Sequence, residues 1–252
     1  MTNLSAVQPF DSGCLSKVGG RDRNEDSFGA LHLESASCWA VADGLGGHRG
    51  GDVASRTAVD AVLVSFRDRP DVSPEAVAEH FSRAQAAVVD EQRRSPALAR
   101  MRSTLVVLVA DGSRAVWGHV GDTRLYYLTG GCVVDRTKDH SVVQALVDVG
   151  EVRPDDQGRH EDRARLLRTL GQPEELRATI ERPPRAVHPR DGFLLCTDGF
   201  WETLGETEIE LDFAAASSAQ SWLERLEARL RARSFDGDNY TAIGVVVGVN
   251  GR

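Results

Sequence analysis

Residues 103–134 read STLVVLVADGSRAVWGHVGDTRLYYLTGGCVV, and this stretch decides the fold. Apolar and β-branched residues run from Thr104 to Val109, Ala115 to Val120, Arg124 to Leu128 and Cys132 to Val134, with breaks at Asp111-Gly112, Gly121-Asp122 and Gly130-Gly131. Asp-Gly and Gly-Gly pairs supply the backbone freedom of tight turns, so four short strands in an antiparallel meander are expected. Upstream, Cys38-Trp39-Ala40-Val41-Ala42 is another β-like run, followed by Val53, Ala54, Thr57, Ala58, Ala61, Val62 and Val64 at helical spacing. Ser73-Pro74-Glu75 then opens a second helix, with Ser as cap and Pro at the first helical position, and this helix is expected to run antiparallel to the first. Downstream, Asp139-His140-Ser141 opens a short helix over 142–149, and residues 151–165 are polar and charged, as in a surface loop. Gly192 to Cys196 is a buried strand ending in Thr197-Asp198-Gly199, residues 217–231 form an amphipathic helix, and residues 240–247 a last strand. Helices and strands do not alternate as βαβ units. The expected fold is therefore α+β: an antiparallel β-sandwich flanked on both faces by antiparallel helices, a four-layer α-β-β-α stack.

The chain has 252 residues, 41% of them hydrophobic, enough for a sizeable core, and it shows no repeat or linker. One domain over 1–252 is expected. A net charge of -8 argues against a nucleic-acid or anionic-membrane partner, since both reward a basic surface. Cys14, Cys38, Cys132 and Cys196 have no CxxC spacing and are read as buried thiols in a reducing compartment. The N-terminus lacks the basic and apolar regions of a signal peptide, and no run of about 18 apolar residues exists, so the expected location is the cytoplasm.

Four acidic clusters stand far apart in the chain: Asn24-Glu25-Asp26, Asp43-Gly44 followed by Gly46-Gly47-His48, Thr197-Asp198-Gly199, and Asp238-Asn239. Carboxylates and a main-chain carbonyl are hard oxygen ligands that suit Mg²⁺ or Mn²⁺, whereas zinc would call for His and Cys. A glycine beside Asp43 and Asp198 would let the backbone turn so that side chain and carbonyl face one ion. The chemistry suggested is metal-assisted hydrolysis. Taken singly, Asp43-Gly44 and Asp198-Gly199 also read as strand-end turns. Glu25-Asp26 also reads as a solvated turn, Asp122 as a hairpin residue capping Arg124, and His48 and His140 as helix-start residues.

Six segments in order carry a resemblance: Arg21-Asp22-Arg23-Asn24-Glu25-Asp26-Ser27, Val41-Ala42-Asp43-Gly44-Leu45-Gly46-Gly47-His48, Gly121-Asp122-Thr123-Arg124, Asp139-His140-Ser141, Thr197-Asp198-Gly199 and Asp238-Asn239-Tyr240-Thr241. Together they resemble the metal-dependent protein serine/threonine phosphatases of the PPM, or type 2C, class. The resemblance implies two Mn²⁺ or Mg²⁺ ions bridged by Asp43, one completed by Glu25 and the Gly44 carbonyl, the other by Asp198 and Asp238. A water shared between the ions would attack a phosphoserine or phosphothreonine. Arg21 would bind the phosphate oxygens in bidentate fashion. Asp26 would orient a metal-bound water. Asp122 resembles the residue that, with Asp198, holds a weaker third ion in bacterial members. Arg23 is an alternative to Arg21, because the interval after Gly19-Gly20 is a residue shorter than the common pattern, and Arg102 stands where the family has glycine. Leu45 stands where some members have His, which leaves the leaving-group acid unassigned.

Residues 145–168 correspond to the family's variable flap, expected to tune substrate choice. Gly199-Phe200-Trp201-Glu202 resembles stand-alone bacterial members that oppose a serine/threonine kinase, some of them associated with type VI secretion. The implied partners are phosphorylated proteins, a kinase or its targets, met by a monomer. A catalytically silent phosphoprotein-binding module is the alternative, but it would be expected to lack one of Asp43, Asp198 or Asp238, and all three are present. A nuclease or phosphodiesterase is disfavoured by the acidic surface and the lack of His ligands.

Overall fold

The structure is a computed structural model that describes residues 10–46, 50–233 and 237–248, the side chain of Asp155 apart. In chain order, β1 (Phe10–Lys17), β2 (Asp26–His32) and β3 (Ser37–Leu45) precede helices α1 (Gly51–Asp68) and α2 (Pro74–Arg94). Five strands follow: β4 (Arg102–Ser103), β5 (Leu105–Ala110), β6 (Arg114–Val120), β7 (Arg124–Thr129) and β8 (Cys132–Arg136). The rest of the chain supplies α3 (Val142–Asp148), β9 (Thr179–Ile180), β10 (Arg185–Ala186), β11 (Gly192–Cys196), α4 (Asp198–Trp201), α5 (Glu206–Ala215), α6 (Ala219–Arg233) and β12 (Tyr240–Val247).

Two antiparallel sheets form, one in the order β1-β12-β11-β7-β8 and the other β10-β6-β5-β3-β2, with β4 added on β3 and β9 on β6. The expected meander is thereby corrected. β5 pairs with β6 in one sheet and β7 with β8 in the other, while the turn at Gly121-Asp122 carries the chain between sheets. Period-two patterning cannot reveal this, since β5, β6 and β7 are buried on both faces along most of their length. The crossover brings Asp122 to the seam between the two sheets.

Three apolar layers hold the stack together. Trp39, Val41, Leu108, Trp117, Leu125, Phe193, Leu195 and Ile243 fill the space between the sheets. Ala58, Val62, Phe66, Val77 and Phe81 of α1 and α2 pack on Cys38, Ala40, Val107 and Val109 of one sheet. Trp222, Leu223 and Leu226 of α6 pack with Phe200 on Leu194, Cys196 and Ala242 of the other. This is the four-layer α-β-β-α order expected from the sequence. Ser73 caps α2 by accepting from Ala76 N at 3.2 Å, with Pro74 in the first turn, and Ser141 caps α3 by accepting from Gln144 N at 3.1 Å.

All four cysteines are free thiols, but only Cys38 and Cys196 are buried. Cys14 and Cys132 lie exposed, contrary to the sequence expectation, because β1 and β8 are the two edges of their sheet. Among the described residues, no helix is long and apolar enough to cross a membrane.

Candidate metal centre

The acidic clusters meet at one end of the sandwich because each follows or precedes a buried strand. Asp26 opens β2 and stands opposite Asp43 of β3 in the antiparallel register, so the two carboxylates rise from the same face of the sheet. Asp198 follows β11, Asp238 precedes β12, and these strands are neighbours. Like charges placed opposite one another weaken a strand pair. A site built this way is incomplete without a cation.

Main-chain contacts lock the loops together. Asn239 is the central latch: its Oδ1 accepts from Glu25 N at 2.8 Å, while its Nδ2 donates to the carbonyls of Val18 at 2.7 Å and Arg23 at 2.8 Å. Asp43 N donates to Thr104 Oγ1 at 2.9 Å, and Thr104 N returns a bond to the Asp43 carbonyl at 2.9 Å. Gly44 N donates to the Glu25 carbonyl at 3.1 Å. A Cβ on Gly51 would stand 2.7 Å from the Glu25 carboxylate and from the Gly44 carbonyl oxygen, so these two donors converge on one point.

The glycines act differently from the sequence expectation. Gly44 and Gly199 are absent from the positive-φ residues; what they provide is room. A Cβ on Gly44 would sit 2.0 Å from the Gly51 carbonyl oxygen, and one on Gly199 would sit 2.1 Å from that of Asn239. Any side chain would push the acidic segments apart.

Burial is the largest influence raising Asp43 well above the ordinary carboxylate range, followed by the charges of Asp198, Asp26, Asp122 and Asp238. Burial, then Asp198 and Asp139, does the same to Asp122. Asp26 is pushed up to about 7 by burial, against the lowering influence of the neighbouring Thr241 and Thr197 hydroxyls, and Asp198 to about 6 by burial and then Asp238. Glu25 is raised by burial and then by Asp52. One oxygen of Asp26 accepts from Thr197 Oγ1 at 3.0 Å, while its Oδ1 is buried with no hydrogen-bond partner. A buried acceptor without a donor costs about 1–3 kcal/mol.

Arg21 donates to Asp238 Oδ2 at 2.6 Å, both side chains being largely exposed. Its charge lowers Glu25, as that of Arg23 does, and also Asp198, so Arg21 faces the acidic cluster. His48 and Gly47 lie outside the described residues. His140 stacks on His119 at 4.4 Å, with Nδ1 accepting from Gly121 N at 3.2 Å and Nε2 facing Thr179 Oγ1 at 2.9 Å. Its ring bonds the turn before Asp122 and strand β9, while Ser141 is the residue that caps α3.

The donor set fits Mg²⁺ or Mn²⁺: every group is a hard oxygen, the carboxylates repel one another, and Asp26 Oδ1 lacks a donor. Among the described residues no three His, Cys, Asp or Glu side chains are already grouped around one point as a ligand set. Instead, Asp238 is drawn onto Arg21, and Asp198 Oδ1 accepts from Gly199 N at 2.6 Å.

Sequence reasoning gave no role to Asn239, Thr104 or Glu202. Glu202, one turn after Asp198, is pushed up to about 7 by burial and then by Asp198, and pairs with Arg163 at 3.4 Å. Its place four residues after Asp198 at the start of a helical turn was the available signal.

An antiparallel sandwich with helical outer layers and a carboxylate cluster at the strand ends defines a hard-cation centre. Residues 16–237 match the family described as protein phosphatase 2C, and the chain belongs to that family. The matched span holds Glu25, Asp43, Asp122 and Asp198, with Asp238 one residue beyond it. The chain is 32% identical to the serine/threonine protein phosphatase PstP of Mycobacterium tuberculosis over 90% of its own length and 43% of PstP. It therefore spans less than half of that relative. It is also 31% identical to the serine/threonine phosphatase Stp of Listeria welshimeri, over 88% of this chain and 90% of Stp. The catalytic domain of PstP in complex with two manganese ions superposes with a TM-score of 0.79 at 28% identity, covering 95% of this chain and 99% of that one. PppA, a regulatory component of type VI secretion in Pseudomonas aeruginosa, superposes at 0.77 with 31% identity over 95% and 98% of the two chains.

Proposed function

We propose that this chain is a metal-dependent phosphatase that hydrolyses phosphoserine and phosphothreonine in proteins, using two Mn²⁺ or Mg²⁺ ions. The observation that carries the reading is the meeting of acidic residues at one end of the sandwich, where burial and the charges of Asp198, Asp26, Asp122 and Asp238 raise Asp43, the Glu25 carboxylate faces the Gly44 carbonyl oxygen, and one Asp26 oxygen is unpartnered. Glu25, Asp43 and the Gly44 carbonyl would hold one ion, and Asp43, Asp198 and Asp238 the other. Asp122 with Asp198 would hold a weaker third. When bound, the ions supply a nucleophile from water near neutral pH and offset phosphoryl charge.

The chain's own groups do the rest. Arg21 leaves Asp238 and presents two parallel N–H donors to the phosphate oxygens, a task a planar guanidinium performs better than an ammonium. Asp26 Oδ1 accepts a hydrogen bond from the attacking water and fixes its direction. Asn239 and Thr104 keep the loops in register during turnover. The flap over 145–168 contacts the protein substrate. The substrate is a serine/threonine kinase or that kinase's targets; the names of PstP and Stp support phosphoserine and phosphothreonine as the groups removed. The likeness to PppA supports a link with type VI secretion. We assign the whole chain 1–252 to one domain acting as a monomer in the cytoplasm, a setting supported by its four free thiols.

The test is phosphate release from matched phosphothreonine, phosphoserine and phosphotyrosine peptides in EDTA, Mg²⁺ or Mn²⁺. Release from the first two, only with metal, is expected. Release in EDTA would overturn the proposal, and Mn²⁺ binding without any release would favour the silent phosphoprotein-binding module.

A further inference from the structure

Trp201 ties the turn that begins at Asp198 to the crossover at Asp122. It lies in α4, the single turn that begins at Asp198. Its indole Nε1 donates to the main-chain carbonyl of Asp122 at 3.0 Å, across the seam between the two sheets. Both residues are buried, Trp201 at 7% exposure and Asp122 at 6%, so water cannot substitute for that bond. The ring is also held from behind. The Arg124 guanidinium carbon lies 3.2 Å from the Trp201 ring centroid. Arg124 is itself fixed by two bonds to Asp139 at 2.8 and 2.7 Å, by Tyr126 Oη at 3.1 Å and by Gln157 Oε1 at 3.1 Å.

We propose that Trp201 is a positioning residue that sets the separation of Asp122 and Asp198 through its indole N–H. Asp198 and the indole share one rigid turn, and the Asp122 carbonyl is tied to that turn rather than only to its own crossover. The clamp of Arg124 and Asp139 stops the ring from rotating. Gln157 reaches this clamp from the loop after α3, donating to Asp139 Oδ2 at 2.7 Å, so that loop also braces the ring. The consequence falls on the cation that needs Asp122 and Asp198 together; the two cations that share Asp43 use Asp198 but not Asp122, so the spacing of their ligands does not depend on the indole bond to Asp122. This rests on the proposed function, because it presumes a cation in the acidic cluster.

The test is Mn²⁺ binding, read from the spin-resonance signal of free Mn²⁺, for the unsubstituted protein, Trp201→Phe and Trp201→Phe in an Asp122→Asn background. Phe keeps a ring over Arg124 and removes only the donor, and circular dichroism confirms folding. The weakest-bound Mn²⁺ should dissociate about fivefold more readily in Trp201→Phe, the factor that one net hydrogen bond carries, while tighter ions and the KM for a phosphothreonine peptide stay unchanged. In the Asp122→Asn background the same substitution should add nothing. A Trp201→Phe isotherm that superimposes on the unsubstituted one, with only a lower melting temperature, would overturn the proposal. So would an additive effect in the Asp122→Asn background. Failure of the unsubstituted protein to bind Mn²⁺ at all would instead overturn the proposed function.

Discussion

Replacing Asp139 by Asn should strongly destabilise the protein. Arg124 and Asp139 are 5% and 2% exposed, and the guanidinium makes a two-point contact with the carboxylate. In the variant, the cation keeps Tyr126 and Gln157 as neutral partners but loses its counter-charge in a place water does not reach. Breaking a buried pair from one side costs about 3–5 kcal/mol. For a chain of this size each kcal/mol moves the melting temperature by about 2–4 °C, so a fall of roughly 6–20 °C follows. The assay is urea unfolding of the metal-free protein, in which ions cannot compensate. The double variant Arg124→Met with Asp139→Leu should be more stable than the single one, because neither buried charge remains. A loss below about 1 kcal/mol for Asp139→Asn, or a double variant worse than the single, would refute the reasoning.

The remaining predictions concern the site and its surroundings. Arg21→Ala should raise the KM for a phosphothreonine peptide at least about tenfold, the worth of a charge-assisted contact, while the Mn²⁺ requirement falls because Asp238 is released; steady-state kinetics across Mn²⁺ concentrations checks both. Saturating Mn²⁺ should stabilise the protein by about 2.7 kcal/mol at a hundredfold excess over its dissociation constant, and urea titrations with and without EDTA should show the difference. His80, held neutral between α1 and α2 by burial, has its pKa lowered from 6.5 to about 4 and hydrogen-bonds Ser65 at 2.8 Å. Its contribution is therefore present above pH 6.5 and lost as pH falls from there toward 4, since the unfolded chain takes up the proton first. Between pH 7 and pH 5 the unsubstituted protein should lose up to about 2 kcal/mol more stability than His80→Gln, at 1.36 kcal/mol per unit; equal losses would contradict the assignment.

Legibility in the sequence followed the strength of local patterns. α1, α2, β11 and β12 announced themselves by periodicity and capping, and α2 starts and β11 and β12 start and end where expected. β1 and β2 did not, because they carry Asp11, Ser12, Ser16, Asp26 and Ser27 and bury only alternate residues or fewer. α5 was invisible for another reason. Among its buried residues are Ile209 and Asp212, and the place of an apolar contact is taken by Asp212 paired with Arg229 at 2.5 Å and Arg225 at 3.3 Å. A charged residue at a buried position defeats any hydrophobic pattern. In the site, acidic residues beside glycines could be read because hard-cation chemistry demands them. The frame of Asn239, Thr104 and Trp201 could not, since one hydrogen bond to a distant backbone atom leaves no periodic trace. The glycines were found for the wrong reason: they make space for a neighbouring carbonyl, which requires knowing which segments meet.

The central claim is that the carboxylates of Asp43 and its neighbours exist to bind the ions that drive phosphate release. The most direct measurement is phosphate release from a phosphothreonine peptide by Asp43→Asn and the unsubstituted protein at saturating Mn²⁺, with the urea midpoint of each metal-free protein taken alongside. Removing one of several mutually repelling charges should leave the metal-free variant at least as stable as its parent. Turnover should fall by at least about a hundredfold, because the carboxylate proposed to join both ions is gone. Turnover within about threefold of the parent in a variant loaded with Mn²⁺ would contradict the account.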